Sequence, residues 1–353
     1  MKLIVITDTH AGARNASDVF LTYFAKFYKD VFFPYCKEHD IKHILHLGDF
    51  YDNRKTINFK ALHHNRKHFL EPMRELGMTM DIIPGNHDVV YKSTNELCSL
   101  KELLGHFMNN VNIVMSPKVV DYDGCPIALL PWINKENYKQ SMDFINSCKA
   151  SILGGHLELE GFDIMKGMKS HDGMSKDLFK KFEYVWSGHY HTRSEHENIH
   201  YLGAPYEMTW VDYNDPKYFY VFDTDTRTLT PIRNPLTIFH KIYYDDKRND
   251  YSKYDLSQVD GKFIKVIVSN KNDHYGFDQF INAIQNRPIH EVKIIETFDE
   301  FIGDNVNDEK ISIANTSDLL NDYVDATTTD LNKDTIKGEL QSLYKEALTI
   351  ELE

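Results

Sequence analysis

The chain has 353 residues, with 40 basic and 53 acidic side chains, a formal net charge of −13, 42% hydrophobic and 26% charged residues. That balance excludes a disordered chain, and the sign of the charge excludes a simple basic coat for nucleic acid. The longest uncharged apolar stretch, Gly124 to Asn134, is broken by two prolines and falls far short of the roughly 20 residues that span a bilayer.

Residues 2–7 form an apolar run ending at Asp8-Thr-His10, the pattern of a buried strand delivering polar residues at its C-terminal end. An acid so close to the start is not expected of a signal peptide. Val19, Phe20, Tyr23, Phe24, Phe27, Val31 and Phe32 recur at helical spacing. His43–Leu47 predicts a second strand ending at Gly48-Asp49, and a helix follows over Phe59–Leu76. Thr79–Ile83 predicts a third strand, ending in Pro84-Gly-Asn-His-Asp88. Ser93-Thr-Asn-Glu96 has the form of a capping box, opening a helix with Leu97, Leu100, Leu104 and Phe107 on one face. Ile127–Leu130, Ala150–Leu153, Tyr184–Trp186 and His200–Leu202 are further short strands, two of them followed by Gly154-Gly-His156 and Gly188-His-Tyr-His191. Tyr218–Phe222 and Leu229–Ile232 predict a hairpin. Strand, polar loop, helix, strand is the grammar of an α/β fold.

Character shifts after Arg233. Ile238–Tyr244, Phe263–Val268 and Val292–Ile295 read as strands, with helical periodicity at Phe277–Ile284. Between Glu296 and Asp334 there are eleven acids and two lysines, the composition of a flexible linker. Beyond it Ile336, Leu340, Leu343, Tyr344 and Ala347 share one helical face, and so short a helix needs a surface to dock on. The expected division is 1–233, a small α+β unit over 234–296, a linker over 297–334 and a helix over 335–353. The four cysteines show no close pairing and fit a reducing cytoplasm.

Histidine is unevenly spread: 15 of 18 lie in residues 1–210, where the charge is nearly balanced, while residues 211–353 carry 16 basic and 27 acidic groups. Five strand ends present metal-type ligands: Asp8 with His10, Asp49, Asn86 with His87, His156, and His189 with His191. Strand ends far apart in sequence converge at one sheet edge, where α/β proteins place their sites. Carboxylate and amide oxygens mixed with imidazoles suit Mn²⁺, Zn²⁺ or Fe²⁺ better than a thiolate metal. His39, His43, His46, His63, His64, His68 and His106 lack this grammar and read as surface or satisfied core.

In this order D-x-H, G-D, G-N-H-D, G-H and G-H-x-H resemble the five signature blocks of the calcineurin-like metallophosphoesterases. The resemblance implies a two-sheet sandwich flanked by helices, with two divalent cations across its top, Mn²⁺ ahead of Mg²⁺. It assigns Asp8, His10, Asp49 and His191 to one cation, and Asp49, Asn86, His156 and His189 to the other, with Asp49 bridging. Such a pair clamps the attacking and leaving oxygens of an in-line displacement and generates hydroxide. His87 would then be the general acid, with Asp88 tuning its neighbours.

Arg54 five places after Asp49, the opening Met1-Lys-Leu-Ile-Val-Ile-Thr-Asp-Thr-His10, and Tyr201-Leu-Gly-Ala-Pro205 are similar to the SbcD nucleases. The short form most resembles the SbcD-type recombination endonuclease subunits of large tailed phages. That resemblance implies a DNA exonuclease and endonuclease acting in recombination and double-strand-break processing. It also implies a capping domain facing DNA, a homodimer within a heterotetramer, and an SbcC-type coiled-coil ATPase docked on the C-terminal helix, all in the cytoplasm of a host for a phage-encoded chain. The helix around Glu96–Phe107 could be a dimer contact or core packing. SbcD-type nucleases usually carry histidine where this chain has Asp52. Protein phosphatases of the superfamily pair an aspartate at this spacing with the catalytic histidine, so Asp52 is expected to hydrogen-bond His87 or to be a solvated loop acid. Arg14, Asn15, Arg54 and His171 are candidate substrate contacts, or solvated loop residues. The metal blocks alone leave a phosphoprotein phosphatase or small-molecule phosphodiesterase open, and a non-catalytic scaffold would lack ligands.

Overall fold

Leu3, Ile4, Val5 and Ile6 are each at most 1% exposed, because the strand they form, β1 (Lys2–Ile6), is covered on both faces. Leu3 and Val5 point into one apolar cluster and Ile4 and Ile6 into another, the two-residue alternation of a strand inside a layered fold. The computed structural model describes residues 1–105, 109–165, 168–170, 173–296, 324–325, 332–333, 336–338 and 340.

After β1 come β2 (His43–His46), β3 (Thr79–Ile82) and β4 (Val111–Ile113), each parallel to its predecessor. The chain then crosses to a second sheet with β5 (Lys118–Tyr122), β6 (Cys125–Leu130) and β7 (Ile152–His156). A hairpin of β8 (Asp163–Met165) and β9 (Met168–Lys169) leads to β10 (Tyr184–Gly188), β11 (Ser194–His196) and β12 (Ile199–Tyr201) of that same sheet. The hairpin β13 (Lys217–Asp223) and β14 (Thr228–Asn234) returns to β1 antiparallel. The two six-stranded sheets have the orders β14-β13-β1-β2-β3-β4 and β11-β12-β10-β7-β6-β5.

Leu3, Val5, Leu45, Leu129, Trp186 and Phe222 fill the space between the sheets. The helix Asp18–Phe27 and its continuation through Glu38 cover the outer face of the first sheet with Phe20, Phe24, Phe27 and Phe32. Among the described residues no helix is long and apolar enough to cross a membrane.

A third sheet, β15 (Phe239–Asp245), β16 (Phe263–Asn270) and β17 (Glu291–Glu296), is wholly parallel and carries the helix His274–Gln285 on one face. It meets the main body where Phe263 stacks on Phe20, with ring centroids 5.5 Å apart. Glu207 fastens this junction: its Oε2 accepts from the main-chain N–H groups of Ile238 (2.7 Å) and Phe239 (3.0 Å).

The helix expected from the Ser93–Glu96 capping box does not form there. The described helix runs over Ser99–Leu103, because Val89 pairs with Cys98 and Ser99 N donates to Asp88 O at 2.8 Å, holding 89–98 as a closed loop. His106 and Phe107 lie outside the described residues, as do 297–323 of the expected linker and Leu343, Tyr344 and Ala347 of the expected helix. Ile336 and Leu340 are half-buried.

Burial pushes the Glu207 carboxyl up to about 7. A carboxylate with a raised folded-state pKa leaves stability intact below its unfolded value and removes it as pH climbs through the folded one. Replacing Glu207 with Gln should therefore flatten the decline in stability between pH 5 and pH 8. The variant should gain on wild type over that range by about 1–3 kcal/mol, read as the difference between their denaturation curves. Parallel curves would show that the carboxyl does not titrate there.

Candidate metal centre

Parallel order brings the C-terminal ends of β1, β2, β3, β7 and β10 to one side of the sandwich. The turns beyond them are tied across the sheets. His156 Nδ1 donates to Leu47 O (2.8 Å) and His189 N donates to Asp8 Oδ1 (3.0 Å). Asp8, His10, Asp49 and His189 all take positive φ, from 39° to 91°. That region costs a non-glycine residue about 1–2 kcal/mol and persists where surrounding structure imposes it. Gly85 is required: a Cβ there would collide with the Asp49 carboxylate.

Two groups of donor atoms result. His10 Nε2 faces His191 Nε2 at 3.0 Å, with Asp8 Oδ1 at 4.0 Å and Asp49 Oδ2 at 3.6 Å from His10. Asn86 sets its amide 2.9 Å from both His156 Nε2 and His189 Nδ1, and Asp49 Oδ2 lies 3.3 Å from His156 Nε2. Asp49 thus stands between the groups. Asp8, Asp49 and His156 are at most 1% exposed, and His10 is 2% exposed.

The donor set fits divalent cations. Because His156 Nδ1 donates to Leu47 O, Nε2 is the ring nitrogen that faces the site. The Asn86 amide has only acceptors on its inner side. With its nitrogen turned inward, its oxygen accepts from Arg54 Nη2 at 2.9 Å. With its oxygen inward, a cation among the lone pairs reconciles them. Burial works against charge on Asp49, yet His156 and His87 hold its carboxyl well below the usual range. Burial likewise opposes charge on His10, but the Asp52 hydrogen bond and the carboxylates of Asp49 and Asp8 bring it up to about 9.

Asp52 does not use its carboxylate on His87. Its Oδ1 accepts from His10 Nδ1 at 3.1 Å, while its main-chain oxygen accepts from His87 Nδ1 at 2.5 Å. The expected pairing of the Asp52 carboxylate with His87 is therefore not made, and the Asp52 main chain meets His87 in its place. His87 N donates to Asp49 Oδ1 at 2.7 Å, so His87 stands beside both groups. Asp88 accepts from the main-chain N–H groups of Gly85 (2.9 Å), Phe50 (3.1 Å) and Tyr51 (3.1 Å), joining the turns that carry Asn86 and Asp49.

Arg54 Nη2 lies 2.9 Å from the outward atom of the Asn86 amide, and donates to it only when that atom is the oxygen. Arg14 lies in a left-handed turn with Asn15 and Ala16 (φ 59°, 55° and 53°), its guanidinium 5.6 Å above the Phe20 ring and its Nη1 buried without a hydrogen-bond partner. His171 lies outside the described residues.

Three supporting groups carried no sequence signal. His46, kept neutral because burial pushes it down to about 3, accepts from Gly48 N and meets Thr9 Oγ1 beneath the Asp49 turn. Lys217, paired with Asp212 at 2.6 Å and Asp215 at 2.8 Å, donates to His191 O at 3.0 Å. Trp132 packs its ring on His189, centroids 5.3 Å apart.

Asp52→Asn should weaken Mn²⁺ binding by about 10–100-fold, the usual effect of removing a carboxylate that orients a ligand histidine. Calorimetric titration reads this directly. An unchanged affinity would mean that Asp52 does not set the His10 ring.

Over 349 residues the chain is 31% identical to exonuclease subunit 1 of Enterobacteria phage T4, covering 98% of this chain and 99% of the relative. A solved archaeal phosphodiesterase is 14% identical, covers 66% of this chain and 100% of its own, and gives a TM-score of 0.35, too slight a likeness to carry an argument. A family model for the calcineurin-like phosphoesterases matches residues 1–219. That span covers more than half of the chain and includes every strand end that supplies a donor: the chain belongs to the calcineurin-like phosphoesterase family.

Proposed function

We propose that the chain is a metal-dependent DNA nuclease, with exonuclease and endonuclease activity, working in recombination and break processing with an SbcC-type ATPase. The observation that carries this reading is the extent of the likeness to the phage T4 exonuclease subunit. It continues past residue 219, where the family match ends, through the third sheet and along the acidic stretch. A phosphatase reading leans on Asp52 pairing its carboxylate with His87, and that carboxylate turns to His10 instead. A scaffold reading expects missing donors, and every donor is present.

Asp8, His10, Asp49 and His191 would hold one divalent cation and Asp49, Asn86, His156 and His189 the other, Mn²⁺ ahead of Mg²⁺ for this mixed oxygen and imidazole set. Two such ions supply Lewis acidity toward the phosphate and lower the pKa of an attacking water. The chain's own residues do the rest. His87 is oriented by the Asp52 carbonyl and delivers a proton from its other nitrogen to the leaving oxygen. Arg54 draws a phosphate oxygen toward the site, and Arg14 waits at its edge. The helix over 335–353 docks on the ATPase, tethered by the acidic stretch over 297–334, which raises its local concentration at the partner. The assembly is a homodimer within a heterotetramer in the cytoplasm, and residues 234–296 form a cap facing DNA.

With Mn²⁺, linear duplex DNA and circular single-stranded DNA should be cut faster than a chromogenic phosphomonoester. His87→Ala should lower the DNA rates by about 10²–10⁴-fold with little change in Mn²⁺ affinity. Faster turnover of the monoester would favour the phosphatase reading. Removing residues 335–353 should abolish capture by the ATPase while sparing Mn²⁺-dependent cleavage. Equal capture of the truncated chain would place the docking surface elsewhere.

A further inference from the structure

Beside the metal centre lies a cavity of about 440 Å³, walled by Trp132, Lys135, Tyr138, Glu158 and Met174, with His156 in its lining. Its volume falls within the roughly 300–1,000 Å³ typical of small-ligand sites. Because His156 belongs to a donor group, whatever fills the cavity lies next to the reacting phosphate.

The Trp132 wall is held rigidly. Its main-chain N–H donates to Pro84 O at 2.9 Å, tying it to the turn that carries Asn86 and His87. Its carbonyl accepts from Asn95 Nδ2 and Asn137 Nδ2, each at 2.9 Å, and Asn134 Nδ2 donates to Asn95 Oδ1 at 2.7 Å. Three asparagines therefore fix one main-chain position, and the loop over 89–98 contributes Asn95 to that task. The indole leans on His189 and meets His156 edge-on, centroids 6.0 Å apart. Tyr138, half exposed at 50%, adds a second aromatic face. The Glu158 carboxylate, 3.7 Å from His189 Nε2, repels a phosphate and leaves this wall to an uncharged group.

We propose that this cavity receives one nucleobase next to the scissile phosphate, stacked on the Trp132 indole. The inference rests on the nuclease reading. An aromatic wall accepts any base, since every base has a π-face, so the site reads the presence of a base and not its identity. A base can enter only after leaving the helical stack, which favours single strands and frayed ends over duplex interiors.

The test compares cleavage of an oligothymidylate with that of an equally long oligomer of abasic residues, in Mn²⁺, by the full chain. Wild type should prefer the base-bearing strand by about tenfold in kcat/KM, mostly through KM. Trp132→Ala should lose that preference and Trp132→Phe should keep most of it. Cleavage of both oligomers by wild type without preference overturns the pocket while leaving the nuclease reading intact, and needs no variant to fold. Equal losses on both substrates in Trp132→Ala, with the preference preserved, also overturn it and reduce the indole to a support for His189. Failure to cut either oligomer, with brisk hydrolysis of a phosphomonoester, removes the nuclease reading and the pocket together.

Discussion

The structure depends on one buried carboxylate. Asp49 leaves the end of β2 in a left-handed conformation and stands between His10 of the first sheet and His156 of the second. A carboxylate taken so far out of water is costly unless it meets compensating charge or hydrogen bonds. Its main chain is caught as well, since His10 N donates to Asp49 O at 3.0 Å. Gly85 exists to make room for it and Asp88 to hold the turns on either side. The positive φ values around it follow from the same demand, because the chain must reverse within one or two residues of each strand end to face a common point.

Much of this was legible because a strand's last residue fixes where the next ones go. Leu3–Ile6, His43–His46 and Ile152–His156 are short, apolar and abruptly terminated, so their trailing polar residues could be assigned to one edge. Asp52 shows where legibility stops: one residue offers a carboxylate and a carbonyl, and sequence does not say which faces His87. The Ser93–Glu96 loop shows another limit. Its residues satisfy a helix-capping pattern locally, but Glu136 N donates to Ser93 O and Asn95 donates to the carbonyl of Trp132 instead. Lys217 and Trp132 gave no signal, since a lysine opening a strand and a tryptophan just past the end of one are ordinary until their neighbours are known.

The third sheet is coupled to the metal centre through a short stretch of chain. Lys217 holds His191 O and pairs with Asp212. Asp212 accepts from Met208 N and Thr209 N and so closes the turn carrying Trp210. The Trp210 ring lies under Lys265 Nζ of β16 at 4.4 Å, and Glu207 grips the start of β15. Lys217 and Asp212 are each 3% exposed on their side chains, a pair that specifies one arrangement strongly because losing either partner strands a buried charge. A displacement of the third sheet would therefore be felt at His191.

The inner core has a second consequence. Because the donors come from two sheets, the apolar side chains between those sheets act as a gauge for the separation of the two donor groups. Leu3, Leu45, Leu129 and Trp186 set that spacing as close-packed spacers, whereas Phe24 and Phe32 on the outer face do not. Volume changes between the sheets would reach the chemistry directly, and equal changes on the outer face would be absorbed as stability alone.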